Sequence, residues 1–257
     1  MRNYLALVGK ELGTLFVSPI AYVVLASFYL VSGYLFYIIL SFFVQQSSMR
    51  QMGPSSLPMD VPGLVMESYL GSLTTILLFL LPMITMGIFA EERKRGTIEL
   101  LMTSPITRLQ LILGKFSAAV IFLMAMLVPT VLKILLLFLY SDPVPSPSPY
   151  LVALLGVLLM GGALMAAGLF ISSLTENQIV AAAATFGVFI VLWLLDASAE
   201  SSTTVWNETL RYLSVLNHYE DFTNGIIDTQ HLVFYLSFVC LGLFLTSLSL
   251  DSDKWRS

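Results

Sequence analysis

The chain has 257 residues, 57% hydrophobic and 11% charged, with a net charge of −4 and a mean hydropathy of +0.88. A soluble domain carries about 25% charged residues, so this chain cannot cover a globular surface and reads as an all-α integral membrane protein without a sizeable soluble domain. The one cysteine, Cys240, excludes an intrachain disulfide, and His218 and His231 stand alone without metal-ligand spacing.

A bilayer span needs about 20 mainly apolar residues. Six runs qualify, at about 19–43, 69–90, 108–139, 150–173, 179–196 and 232–250, all in a single transmembrane domain over 1–257. Ahead of them, residues 2–16 read as a short interfacial helix. Leu5, Val8, Leu12, Leu15 and Phe16 form its apolar side, and Arg2, Lys10 and Glu11 its polar side. Ser18-Pro19 has the form of a helix start. The first run is too long for a signal-peptide core and no A-x-A-like site follows it, so it is expected to be retained as a span.

Residues 45–68 contain Pro54, Pro58 and Pro62 and read as an irregular loop. The second span carries Pro82 near its middle. Then comes EERKRGTIELLMTSPITRLQLILGK, residues 91–115, which holds five of the twelve Lys and Arg residues. A charged stretch between two apolar runs is expected to stay in water on one side of the bilayer. Thr107 to Gln110 matches a capping box that opens the third span. Lys133 lies inside that span, about 10 Å of helix from its outer end. It either snorkels or packs on a polar partner, or belongs to a transport path.

SDPVPSPSP, residues 141–149, is a proline-rich loop. The fourth span has small-xxx-small spacing at Gly162/Ala166 and Ala163/Ala167, which permits close helix contact. A tight turn at 174–178 leads to the fifth span. Within 197–230, Trp206, Leu210 and Leu213 suggest a short interfacial helix, and His218–Asp228 a second segment dipping toward the membrane.

Six spans place both termini on one side. Nine cations fall there (Arg2, Lys10, Arg93, Lys94, Arg95, Arg108, Lys115, Lys254, Arg256) against Arg50 and Arg211 opposite. That bias predicts cytoplasmic termini. No G-x-x-x-x-G-K-[ST] phosphate loop is present, since Gly114-Lys115 lacks the upstream glycine and the hydroxyl. No H-E-x-x-H or G-x-S-x-G motif occurs, so no catalytic residue is assigned. The spans contain no central Asp or Glu, which argues against proton coupling. Na⁺ sites built from carbonyls stay open, and a transporter without its own motor or ion relay needs an external energy source.

Two segments carry a family resemblance. The first matches at Glu92, Arg93, Gly96, Thr97, Glu99, Leu101, Pro105, Arg108, Gly114 and Lys115. The second, YLSVLNHYEDFTNGIIDT, matches at Leu213, Ser214, His218, Phe222, Gly225, Ile227, Asp228 and Thr229. Together with six spans, they make the chain resemble ABC-2 type permeases, and the second segment resembles the gliding-motility permeases of the GldF and NosY type. The resemblance implies a type V exporter permease fold, with a cytoplasmic coupling helix and short outer re-entrant helices before the last span. It implies a bacterial inner-membrane permease without its own ATPase site. The chain would hold no cofactor, and ATP and Mg would sit on two copies of a cytoplasmic ATPase. A second permease copy, as a homodimer, is implied too. The ATPase would dock on Glu91, Glu92, Arg93, Arg95, Gly96, Thr97, Ile98, Glu99, Leu101, Pro105 and Arg108. The outer gate would use Leu213, His218, Phe222, Gly225 and Asp228. Ile98, Leu101 and Met102 give the docking segment a short apolar face of its own. An alternative is mechanical transmission to an outer GldG-like partner without solute movement, and a remote one is a membrane enzyme or scaffold. No nucleic-acid contact is expected.

Overall fold

The computed structural model describes residues 2–51, 60–98, 106–142, 144–199 and 214–252. Among them all regular structure is helical: α1 (Arg2–Val17), α2 (Pro19–Gln51), α3 (Val61–Thr85), α4 (Gly87–Lys94), α5 (Arg108–Tyr140), α6 (Ser148–Ser173), α7 (Gln178–Ala199), α8 (Asn217–Thr223) and α9 (Thr229–Ser252). Five stretches are long and apolar enough to cross a membrane: α2, α3 with α4, α5, α6 and α9. In α7 the apolar stretch Gln178–Leu194 is shorter.

The predicted loop at 45–68 is corrected at both ends. The first long helix continues to Gln51, and the next begins at Val61. Pro62 falls in the first turn of α3, where a missing N–H breaks no helical bond. Asp60 caps that turn by accepting from the Gly63 N–H at 3.1 Å. Pro54 and Pro58 lie outside the described residues. So do Trp206, Leu210 and the interfacial helix expected there. Thr107 and Gln110 form both bonds of the capping box that opens α5, as the sequence pattern predicts.

The packing is centred on α6, which touches α3, α4, α5, α7, α8 and α9. Its small residues make this possible. A Cβ on Gly168 would lie 2.3 Å from the Thr85 hydroxyl, and one on Gly242 of α9 would lie 2.9 Å from the Ala166 backbone. Ala163 and Ala166 are fully buried, so the small-residue stripe serves packing within the chain. By contrast α2 turns most of its length outward, with Tyr22, Leu30, Tyr34 and Tyr37 exposed. An apolar surface of that kind suits lipid, where hydrophobic side chains need not be covered by protein.

The first helix departs from its predicted face. Leu7, Val8 and Glu11 are buried and Leu5 is exposed. The stripe runs Tyr4, Val8, Glu11, Leu15 and packs against α5. Tyr4 OH and Ser117 Oγ lie 2.6 Å apart. Gly114 permits the approach, because a Cβ there would meet the Leu7 side chain at 2.6 Å. Glu11 is carried inward with this face because it has an ion partner waiting on α5.

Candidate functional site

The segment expected to dock an ATPase is led in by α4, which starts where α3 breaks at Met86. Thr85 Oγ1 bonds back to the Leu81 carbonyl at 3.1 Å, a bond that tends to bend helices. A new helix must then find acceptors for its first N–H groups. Ser172 of α6 supplies one. Its Oγ accepts from Phe89 N and Ala90 N, each at 3.1 Å, and donates to the Met86 carbonyl at 2.9 Å. A single hydroxyl from another helix thus does the work of an N-cap, and it pins α4 to the central helix.

At its other end α4 stops at Gly96, which has φ +67°. The Gly96 N–H donates to the Arg93 carbonyl at 3.0 Å, and Arg95 N–H to Glu91 O at 3.0 Å. A left-handed residue after the last helical turn is the usual glycine stop. Lys94, Arg95 and Gly96 stand exposed at the tip. Arg95 pairs with Glu91 one turn back. Thr97 Oγ1 reaches the Glu92 carbonyl at 3.3 Å. Ile98 packs, half-buried, against the chain's own core, so part of the expected apolar docking face is already used. Glu99, Leu101, Met102 and Pro105 lie outside the described residues. Arg108 sits apart from the others and pairs with Asp251 on α9.

Lys115 corrects the expectation that these cations all stay in water: it is 2% exposed. Its ammonium donates to Glu11 Oε2 at 3.0 Å and to the Ile88 carbonyl at 3.0 Å, and pairs with Glu92 Oε1 at 2.8 Å. It lies 5.2 Å over the Phe89 ring. Lys10 joins at the edge, 3.1 Å from Glu11 and 3.7 Å from Glu92. The Lys10 pKa is raised: its partial burial opposes the charge, and the two carboxylates outweigh that. Two residues of the first motif, Glu92 and Lys115, are therefore direct partners, and Glu92 faces inward. Beside them a cavity of about 420 Å³ opens between α1, α2, α3, α4 and α5, with Ile20, Met83 and Ile84 on its apolar wall.

The second motif builds the opposite end. His218, Tyr219 and Phe222 of α8 are buried against α6, where Gly156 leaves room: a Cβ there would meet Phe222 at 2.6 Å. Gly225 ends α8 with φ +76° and lies so close to Pro149 that a Cβ would fall 2.9 Å from its Cα. Asp228 caps α9, accepting from Gln230 N–H at 2.9 Å. Sequence reasoning missed the partners from elsewhere. His231 Nε2 meets Asp221 Oδ2 at 2.6 Å, and its ring lies 4.8 Å from that of His218. Leu213 lies outside the described residues. Nearby, a larger cavity of about 1430 Å³ is walled by Phe36, Leu70, Leu137, Tyr150 and the carboxylates Asp60 and Glu67.

Lys133 finds polar partners inside the bundle. Its Nζ donates to Tyr69 OH at 2.7 Å and Ser32 Oγ at 2.9 Å, and it lies 4.9 Å over the Tyr69 ring. Thr130 completes the group, 3.3 Å from Tyr69 OH. These contacts give the lysine the polar partners that the packing alternative requires.

Ser172, Ser32 and Asp251 were not singled out in advance, and Glu11 was placed on the polar side of its helix rather than on the buried face. Only Glu11 carried a usable signal, its place on the Tyr4–Val8–Leu15 stripe. A lone serine in an apolar helix announces nothing.

Comparison with known proteins agrees with this architecture. The ABC-2 family transporter proteins match the chain over residues 5–250. Two curated relatives, each described as "Probable multidrug ABC transporter permease YbhR", come from Escherichia coli strains K12 and O157:H7. Each is 27% identical over 173 residues, which is 65% of this chain and 44% of the relative. The match thus spans less than half the length of these relatives. With helices able to cross a membrane several times and a family match over nearly its whole length, the chain belongs to the ABC-2 family of transporter proteins, as a multi-pass helical permease.

Proposed function

We propose that this chain is the membrane subunit of an exporter driven by a separate cytoplasmic ATPase that docks on residues 91–107. The observation that carries the reading is the polar turn Lys94–Arg95–Gly96. It stands exposed at the end of a helix whose other end is bonded to the central helix through Ser172. A push on such a turn reaches α3 and α6 without bending a loop. In this reading α7 is the sixth span and both termini are cytoplasmic, in a bacterial inner membrane. Two copies form the pore, and ATP with Mg binds only the ATPase. The description of the curated relatives as probable multidrug permeases supports outward movement of small molecules.

The test is purification of the tagged chain in mild detergent, followed by mass spectrometry of what is retained. An ATPase bearing a phosphate-binding loop is expected. Lys94→Glu with Arg95→Glu should cut its recovery about tenfold or more, equivalent to about 1.4 kcal/mol of docking energy. Undiminished recovery would remove the docking role from this turn.

Mechanical transmission to an outer GldG-like partner is the competing reading. The cavity of about 1430 Å³ favours solute handling, because it has ample room for a small molecule. ATP-dependent flux in proteoliposomes would decide for transport. Co-purification of a single-span outer protein, with no flux of any tested solute, would decide against it.

A further inference from the structure

We propose that Lys115 is a positioning residue for energy coupling: it clamps the N-terminal helix and the docking segment to α5, so that the three move as one body. The inference rests on the docking reading and adds to it the route by which motion enters the bundle.

Three acceptors surround the Lys115 ammonium, and a lysine has three N–H donors. One acceptor, Glu11, is on α1, and two, Ile88 O and Glu92, are on α4. Every donor of the α5 lysine is thus spent on another element. The pairs are 2.8–3.0 Å long and the lysine side chain is 1% exposed, so salt screens them far less than it would an exposed pair. Two further contacts hold the α1–α5 interface in register: Leu7 seated at Gly114, and Tyr4 against Ser117.

Energetics favour a geometric role over a stabilising one. A buried ion group is a poor source of stability, because desolvation offsets most of its Coulombic gain, and a well-packed apolar group often does as well. What charge adds is direction. Removing one partner leaves an uncompensated buried charge, so the arrangement resists any shift of one helix against the others. Glu92 sits in the docking helix yet faces away from the exposed tip. Its job is therefore internal. Without this group, α1 would be held to the docking segment chiefly by the edge pair Lys10–Glu92.

The experiment uses spin labels on the full chain in lipid nanodiscs, with the exposed Cys240 replaced by serine. Labels at Gly13 and Lys94, both exposed, report on α1 against the docking segment. The wild-type background should give one narrow distance peak. Lys115→Met should broaden it, and Lys115→Arg, which keeps a charged donor, should restore it. A second pair, Gly13 with Val144 at the far end, is read in the complex with the co-purified ATPase. ATP trapping should shift that distance in the wild-type background. The shift should vanish in Lys115→Met, although the ATPase is still retained. If Lys115→Met is not monodisperse, Glu11→Gln, of the same shape without the charge, carries both tests. A peak that stays narrow, or a shift that persists, overturns the clamp. A wild-type chain that recovers no ATPase overturns the docking reading instead, while the peak width still judges the clamp.

Discussion

At the scale of single residues, the two motifs share one device. Gly96 and Gly225 both end a short helix in the left-handed region. A side chain there costs roughly 1–2 kcal/mol from conformation alone. Surroundings separate them: a Cβ on Gly96 meets nothing within 4 Å, whereas one on Gly225 strikes the Pro149 backbone. Gly225→Ala is therefore expected to lower the melting temperature in detergent clearly more than Gly96→Ala. Equal shifts would mean that α6 yields at Pro149. Asp228→Ala should cost about 1 kcal/mol as a lost N-cap, measurable in the same assay. Both glycines and Asp228 were visible in the sequence as motif positions. Their roles were not, because a motif states which residue recurs and not the backbone angle it serves.

At the scale of elements, α6 decides the arrangement. Its hydroxyl at Ser172 lets α4 begin afresh after Met86. Ser172→Ala would leave two buried N–H groups without that acceptor, at about 1–3 kcal/mol each. Faster amide exchange at Phe89 and Ala90 should report it. Unchanged exchange would show that another acceptor takes over. The glycines make a second comparison. Gly242→Leu should disrupt α9 against α6, since backbone cannot move aside and overpacking costs about 1–3 kcal/mol or more. Gly33→Leu, on the outward-turned α2 with open space around it, should be tolerated. The small-residue spacing in α6 was legible as close packing. Which helix it received was not, because every span is apolar all round and helical periodicity cannot point a face at a partner.

At the scale of the whole molecule, the sites separate to two ends. Lys94–Gly96 and the Lys115 group lie at one end, and α8, the proline-rich loop and the larger cavity at the other. A membrane-impermeant maleimide should therefore react from opposite sides with Lys94→Cys and Val144→Cys. In intact cells Val144→Cys is the accessible one if the cation bias sets orientation. Labelling of both from outside would refute the single crossing by α5 that joins them.

Composition, run length and local punctuation already determined that this is a helical membrane protein. They also determined where its charged segment interrupts the apolar runs and where α5 begins. Those properties depend on neighbours a few residues apart, so a linear reading captures them. Only the tertiary structure decided that Glu11 and Lys115, 104 residues apart, neutralise each other. It alone turned Glu92 inward, drew Arg108 to Asp251, and gave Lys133 its hydroxyl partners. A charge in a sequence carries no mark of the side on which it will be solvated. That is settled by which helix packs beside it, because a buried charge is tolerable only where an opposite charge or a set of acceptors is brought within about 3 Å.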